Sequence, residues 1–186
     1  MKASHFFSLF IFIAVLASCK STGPMGDKVK EPFTGSKYES NNRFFRATGK
    51  GVSASDNIAR GRADMQAKTQ LAGQVETNMR NVTDQYMTQT ENLDAAEVGE
   101  KFQSLSRQVI NTNISDLRKI GEEKYYNGSD YTVYIAYEIK KNAMFRYMKK
   151  QAKAEARKAD SQIDSATLKA IEEILDAQIA ASEGDD

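Results

Sequence analysis

Cys19 is the only cysteine of the 186-residue chain, so the chain offers it no second thiol for a disulfide. It follows a basic residue, Lys2, an apolar run over residues 6–16 (FFSLFIFIAVL) and two small residues. A basic start, an apolar run of about ten residues and a small-residue end are typical of a secretory signal. A membrane-spanning helix would need about twenty apolar residues. We therefore predict that residues 1–18 are a signal peptide that is removed from the mature protein.

The stretch Leu16-Ala17-Ser18-Cys19 resembles the lipobox of bacterial lipoproteins. The resemblance implies cleavage before Cys19, a diacylglyceryl thioether on its sulfur, and in most cases acylation of the freed amine. The alternative is an ordinary signal that ends beside a cysteine. Because each buried methylene contributes about 0.8 kcal/mol, two or three acyl chains hold a protein firmly on a bilayer. We expect a chain that is anchored to a membrane by acylated Cys19 without spanning it.

The composition of the remaining chain excludes several classes of chemistry. Removal of residues 1–18 takes away the only histidine, His5, and leaves 25 basic against 25 acidic side chains. A neutral balance gives no electrostatic case for nucleic acid. Without histidine or a free thiol, the chain has no serine–histidine triad, cysteine nucleophile, or zinc site built from histidine or cysteine. Carboxylates, lysines and tyrosines remain, but no spacing singles out a catalytic pair, so we predict no enzyme and no cofactor.

The chain divides into four segments. The signal peptide (residues 1–18) is followed by the lipidated cysteine and a flexible tether (19–41), which carries both prolines and three of the eleven glycines. An α+β domain is expected over residues 42–150. Residues 151–186 are expected to form a helical extension with an acidic tail, whose apolar residues at helical spacing either fold back on the domain or meet another chain.

Hydrophobic periodicity predicts the elements of residues 42–150. The stretch RFFRAT (43–48) favours a strand, GKGVSAS a glycine turn, and alanines every four residues (Ala59, Ala63, Ala67) a helix. Residues 75–90 (VETNMRNVTDQYMTQT) are rich in Val, Thr and Tyr and favour a second strand, unless the helix runs on for another turn.

The later part of the domain has clearer signals. An amphipathic helix is expected from about Asp94. Asn127-Gly128 marks a hairpin before the alternating stretch YTVYIAYEI (131–139), and a further helix starts near Asn142. The fold class is thus α+β, with a small antiparallel or mixed sheet packed by two to three helices and a C-terminal helical extension.

Two sequence patterns are typical of specific binding sites and need to be considered. Gly49, Gly51 and Ala54 fit G-x-G-x-x-A, but the preceding strand carries arginines and no acidic strand end follows, so we reject a dinucleotide site. Tyrosines crowd the hairpin, and we take three of them as a candidate contact surface for sugars or a partner: Tyr125, Tyr134 and Tyr137. Packing of the same rings as cross-strand pairs is the alternative.

The glycine turn, the serine-containing helix start and the alanine-rich helix (GKGVSASDNIARGRADMQAKTQLAGQV), with the hairpin YTVYIAYEI, resemble the twenty-kilodalton outer-membrane lipoprotein family of Gram-negative bacteria. Its domain is similar to one in flagellar accessory proteins. The resemblance covers roughly residues 42–150 and carries no catalytic residue across. It implies a cell-envelope lipoprotein, lipid-anchored at the outer membrane with the leaflet left open.

The sequence leaves three hypotheses for the function. The first is a non-enzymatic envelope lipoprotein that acts by contact with an envelope protein or a cell-wall component. The second is a ligand- or glycan-binding module that uses the tyrosine-rich hairpin. An enzyme with a carboxylate or lysine site is the third.

Overall fold

The computed structural model describes residues 29–89, 95–112 and 117–183. The predicted signal peptide and Cys19 lie outside the described residues. The described elements are three strands, β1 (Phe44–Ser53), β2 (Arg118–Tyr126) and β3 (Tyr131–Lys140), and four α-helices, α1 (Asp56–Gln89), α2 (Ala95–Thr112), α3 (Lys141–Ala156) and α4 (Ser165–Glu183). A short 3-10 helix (Ser36–Tyr38) precedes β1. None of the helices among these residues is both long and apolar enough to cross a bilayer.

The three strands form one antiparallel sheet in the order β1-β3-β2. The predicted hairpin joins β2 to β3 through Asn127 and Gly128, and Gly128 has a φ of 93°. The Asn127 side chain accepts hydrogen bonds from the amides of Ser129 and Asp130, which fixes the loop. The predicted α+β class with an additional C-terminal helix is confirmed.

Helix α1 lies unusually close to the sheet because both surfaces are made of small residues. Ala59, Ala63 and Ala67 are fully buried. They face Gly49 and Gly51, and a β-carbon at Gly49 would lie 2.6 Å from the Ala67 amide nitrogen and closer still to the Ala63 carbonyl oxygen. The predicted glycine turn is therefore wrong: both glycines lie within β1, which continues to Ser53, and they serve close packing.

Polar side chains of α1 cover the outer edge of β1. Gln66 accepts from the Lys50 amide at 2.7 Å, Gln74 donates to the Arg46 carbonyl at 2.9 Å, and Arg62 donates to the Val52 carbonyl at 2.6 Å. Edge strands with open backbone groups invite pairing with other chains. This edge is occupied by the chain's own side chains.

The predicted second strand over residues 75–90 is wrong, because α1 continues to Gln89. Leu71, Val75 and Met79 are buried at four-residue spacing, so tertiary packing of one helical face overrides the β-propensity of Val, Thr and Tyr. The threonines are accommodated because their hydroxyls donate to carbonyls four residues earlier, as Thr83 does to Met79 at 2.9 Å.

The other three helices complete a core on the same side of the sheet. Phe102 of α2, Phe145 and Met148 of α3, and Ile171 and Leu175 of α4 are almost fully buried in one cluster with the inner face of α1. The predicted boundary at residue 150 falls inside α3. The C-terminal helix folds back on its own domain, which is one of the two outcomes left open by the sequence.

The basic stretch 149–158 pairs with acidic residues of α4 and of its own helix. Lys149 contacts Asp176 at 2.7 Å, Lys153 contacts Glu172 at 3.3 Å, and Lys158 contacts Glu155 at 2.7 Å. Exposed pairs of this kind contribute little stability each. The first two pairs join α3 to α4.

Candidate functional site

The tyrosines proposed as one contact surface lie on two faces of the sheet. Pairing of Tyr125 with Thr132 places Tyr125 on the same face as Tyr134. Tyr137 lies on the opposite face, the one that packs against α1 with Val133 and Ile135. The structure thus brings Tyr125 and Tyr134 together and separates Tyr137 from them.

The rings at the hairpin end form cross-strand pairs. Tyr125 meets Tyr134 edge to face with centroids 6.1 Å apart, and Tyr126 lies 4.6 Å from Tyr131. Tyr134 is only 8% exposed, whereas Tyr125 and Tyr126 are 51% and 58% exposed. The packing alternative raised by the sequence therefore describes these contacts. The accessible rings of the hairpin are Tyr125 and Tyr126, which as neighbours on β2 lie on opposite faces of the sheet.

Tyr137 is held by a carboxylate of α1. Its hydroxyl donates to Asp64 at 2.6 Å, and burial together with this hydrogen bond raises the pKa of Tyr137 to about 12. Burial alone would raise the pKa of Asp64, but hydrogen bonds from Lys68 and Tyr137 outweigh it and the pKa is lowered. This pair fastens α1 to β3 and leaves Tyr137 no role in a shared contact surface.

We expect an alkaline absorbance titration of the folded protein to show one tyrosine ionising last, near pH 12. The raised pKa means that the stability contributed by neutral Tyr137 is fully present below about pH 10 and is lost as the pH rises toward 12. Tyr137→Phe should remove the last step, and Asp64→Asn should move it to lower pH. An unchanged final step in Tyr137→Phe would contradict the assignment.

The second face of the sheet is covered by residues 31–41, here called the N-terminal strap. The ring of Phe33 lies against Gly121, where a β-carbon would be 2.8 Å from the Cζ atom of Phe33. Thr48 donates from its hydroxyl to the Phe33 carbonyl at 3.3 Å, and Tyr38 lies 5.1 Å from the Phe33 ring. The predicted tether of residues 19–41 is therefore wrong for residues 31–41, which are part of the folded domain.

The strap also places a carboxylate, that of Glu31, beside Tyr134. Glu31 accepts from Lys50 at 2.8 Å and from the Tyr134 hydroxyl at 3.3 Å. The Lys50 hydrogen bond lowers the pKa of Glu31, and the same bond raises the pKa of Lys50. The continuous apolar run Val133-Tyr134-Ile135-Ala136 of β3 is buried and so needs cover on both faces, but it does not identify the segment that covers the second face.

Farther along the same face a buried carboxylate is shared by two arginines. Glu138 is 4% exposed and accepts from Arg46 Nε and from Arg118 Nε, each at 3.0 Å. Loss of Glu138 would leave the half-buried Arg46 without its carboxylate, whereas loss of one arginine leaves Glu138 paired with the other. The cluster joins β1, β3 and β2, and no spacing in the sequence predicts it.

A comparison with known proteins finds no matching family model, no matching curated protein and no matching solved structure. The resemblance to the twenty-kilodalton lipoprotein family stays a prediction.

Proposed function

We propose that the protein is a non-enzymatic cell-envelope lipoprotein, anchored by acylated Cys19, whose α+β domain acts by contact with another envelope component. The observation that carries the proposal is the position of the only cysteine, directly after an apolar run of signal-peptide length and two small residues. The proposed site is the outer membrane, as the family resemblance implies.

The strap limits how far the domain can lie from the lipid. The compact domain begins at Glu31, and a chain spans at most about 3.3–3.6 Å per residue. From Cys19 to Glu31 the reach is then no more than roughly 40 Å. Under this proposal the first residue of the domain lies within that distance of the lipid anchor, and the partner is an envelope protein or a cell-wall component.

A glycan-binding module on the tyrosine-rich hairpin is the second candidate and has less support. Tyr134 and Tyr137, two of its three predicted residues, make internal hydrogen bonds to Glu31 and Asp64. Only the rings at the end of the hairpin are open to a ligand in the described part of the chain.

We expect Cys19→Ser to abolish incorporation of labelled fatty acid and to release the protein from the membrane fraction, because the serine oxygen cannot form the thioether. Ser21→Ala is the matched control, since it changes a neighbouring hydroxyl and leaves the thiol in place. Labelling of the Cys19→Ser protein at the level of the control would contradict the proposal.

A further inference from the structure

A groove lies beside the outer edge of β1, between α1 and the start of α3. It has a volume of about 610 Å³, within the range of about 300–1,000 Å³ that is common for small-molecule sites. Its lining is rich in amide side chains, with one cation and a deep aromatic ring: Ser40, Phe45, Gln70, Gly73, Gln74, Thr77, Asn78, Asn81 and Lys141. The groove lies at the end of β3 opposite the hairpin turn, because Phe45 pairs with Ile139 and Lys141 follows the strand.

One amide of the lining has an unused buried acceptor. Gln74 is engaged at both ends, because its nitrogen donates to the Arg46 carbonyl and its oxygen accepts from Ser40 at 2.6 Å. Asn78 Oδ1 is buried and has no hydrogen-bond partner among the described residues. A buried acceptor without a donor is unfavourable, and a ligand hydroxyl would satisfy it.

The cation of the groove, Lys141, has no carboxylate partner among the residues that the structure describes. Lys141 Nζ lies 4.5 Å from the centroid of the Phe45 ring, and burial lowers the pKa of Lys141. On the same helix, Lys149 and Lys153 pair with carboxylates of α4, whereas Lys141 forms no ion pair within the described ranges. A ring face compensates a desolvated ammonium only in part. The groove therefore favours a ligand that brings a negative charge.

We propose that this groove binds a sugar acid, with Lys141 holding the carboxylate and Asn78 Oδ1 accepting a hydrogen bond from a ring hydroxyl. One lysine and no arginine among the lining residues suit a single carboxylate better than a phosphate group, which favours arginine forks or several cations. The amides of Gln70 and Asn81 can both donate to and accept from further hydroxyls. The inference rests on the groove alone and does not depend on the lipid anchor.

The test is an NMR titration of the unlipidated chain from Lys20 onward with two probes, N-acetylmuramic acid and N-acetylglucosamine. The two sugars share a ring, and only the first carries a carboxylate. We expect the acid to shift the amides of residues 78 and 141 with millimolar affinity, and the neutral sugar to bind at least tenfold more weakly.

Three substitutions separate binding from folding. Lys141→Met should weaken binding of the acid at least tenfold, while Lys140→Met, an exposed neighbour, should leave it unchanged. Asn78→Leu should lose most of the affinity and melt no lower than the unsubstituted protein, because it removes an unpaired acceptor. Retention of binding in Lys141→Met would overturn the proposal.

Other outcomes would also overturn it. Equal shifts with the neutral sugar would remove the role of the carboxylate, and equal shifts with inorganic phosphate would remove the assignment to a sugar acid. Absence of shifts up to roughly 10 mM acid would exclude a useful site. Each of these results leaves the fatty-acid labelling of Cys19 untouched, so the two proposals fail separately.

Discussion

Gly49→Ala should destabilise the domain by about 3 kcal/mol or more, a large part of the total stability of a domain this size. The added β-carbon would overlap the Ala63 carbonyl oxygen and lie 2.6 Å from the Ala67 amide nitrogen. Both contacts are to helix backbone, so no side-chain rotation can relieve them and α1 must move away from the sheet. Urea unfolding followed by circular dichroism measures the change.

Gly61→Ala is the matched control for this prediction. Gly61 lies in α1, and a β-carbon there would meet no atom within 4 Å. Alanine at an exposed helical position is more favourable than glycine by about 1 kcal/mol, so this variant should be more stable than the unsubstituted protein. Similar stabilities of the two variants would show that α1 does not pack on the sheet as described.

The second large effect is expected for the C-terminal helix. Leu175 is fully buried in the cluster that contains Phe145 and Met148, and Leu175→Ala should cost about 2–5 kcal/mol. Lys169→Ala on the exposed face of α4 should change stability by less than about 0.5 kcal/mol. Both values come from urea unfolding curves.

Removal of α4 tests the same packing at larger scale. A chain that ends at Lys158 leaves the buried residues of α3 open to water, so it should unfold non-cooperatively and bind a dye that reports exposed apolar surface. Cooperative unfolding near the original midpoint, together with an unaffected Leu175→Ala, would mean that α4 does not belong to the core.

Local periodicity predicts much of this fold. The alanines at four-residue spacing lie on the buried face of α1, Asn127-Gly128 forms the hairpin turn, and the C-terminal apolar residues belong to α4, which packs on the domain. These signals work because the buried face of each element repeats within a short stretch of chain. The hairpin makes β2 and β3 antiparallel, and β1 pairs antiparallel with the other edge of β3.

The features that the sequence does not reveal are those made by distant residues. Residues 75–90 have strand-like composition, and it is the burial of Val75 and Met79 against other helices that makes this stretch part of α1. The glycines of β1 resemble a turn until the helix above them is placed. The strap looks like linker by its proline and glycine content, although Phe33 and Glu31 make contacts with strands far along the chain.

The candidate sites also combine features that local sequence predicts with features that only contacts between distant residues reveal. Tyrosine content marks the hairpin, yet strand register decides that Tyr137 faces α1 and that Tyr125 pairs with Tyr134. The groove at Lys141 combines residues from α1, β1 and α3 that have no common spacing. What marks the groove is that Lys141 pairs with no carboxylate of the described residues, and this is seen only once the neighbours of Lys141 are known.

Mass spectrometry of the amino-terminal peptide, with the protein purified from the membranes of a Gram-negative host, tests the proposed anchoring through Cys19. We expect a mature chain that begins at Cys19 and carries a diacylglyceryl group on its sulfur. A chain that begins at another residue, or a peptide with an unmodified Cys19 thiol, would contradict the proposal.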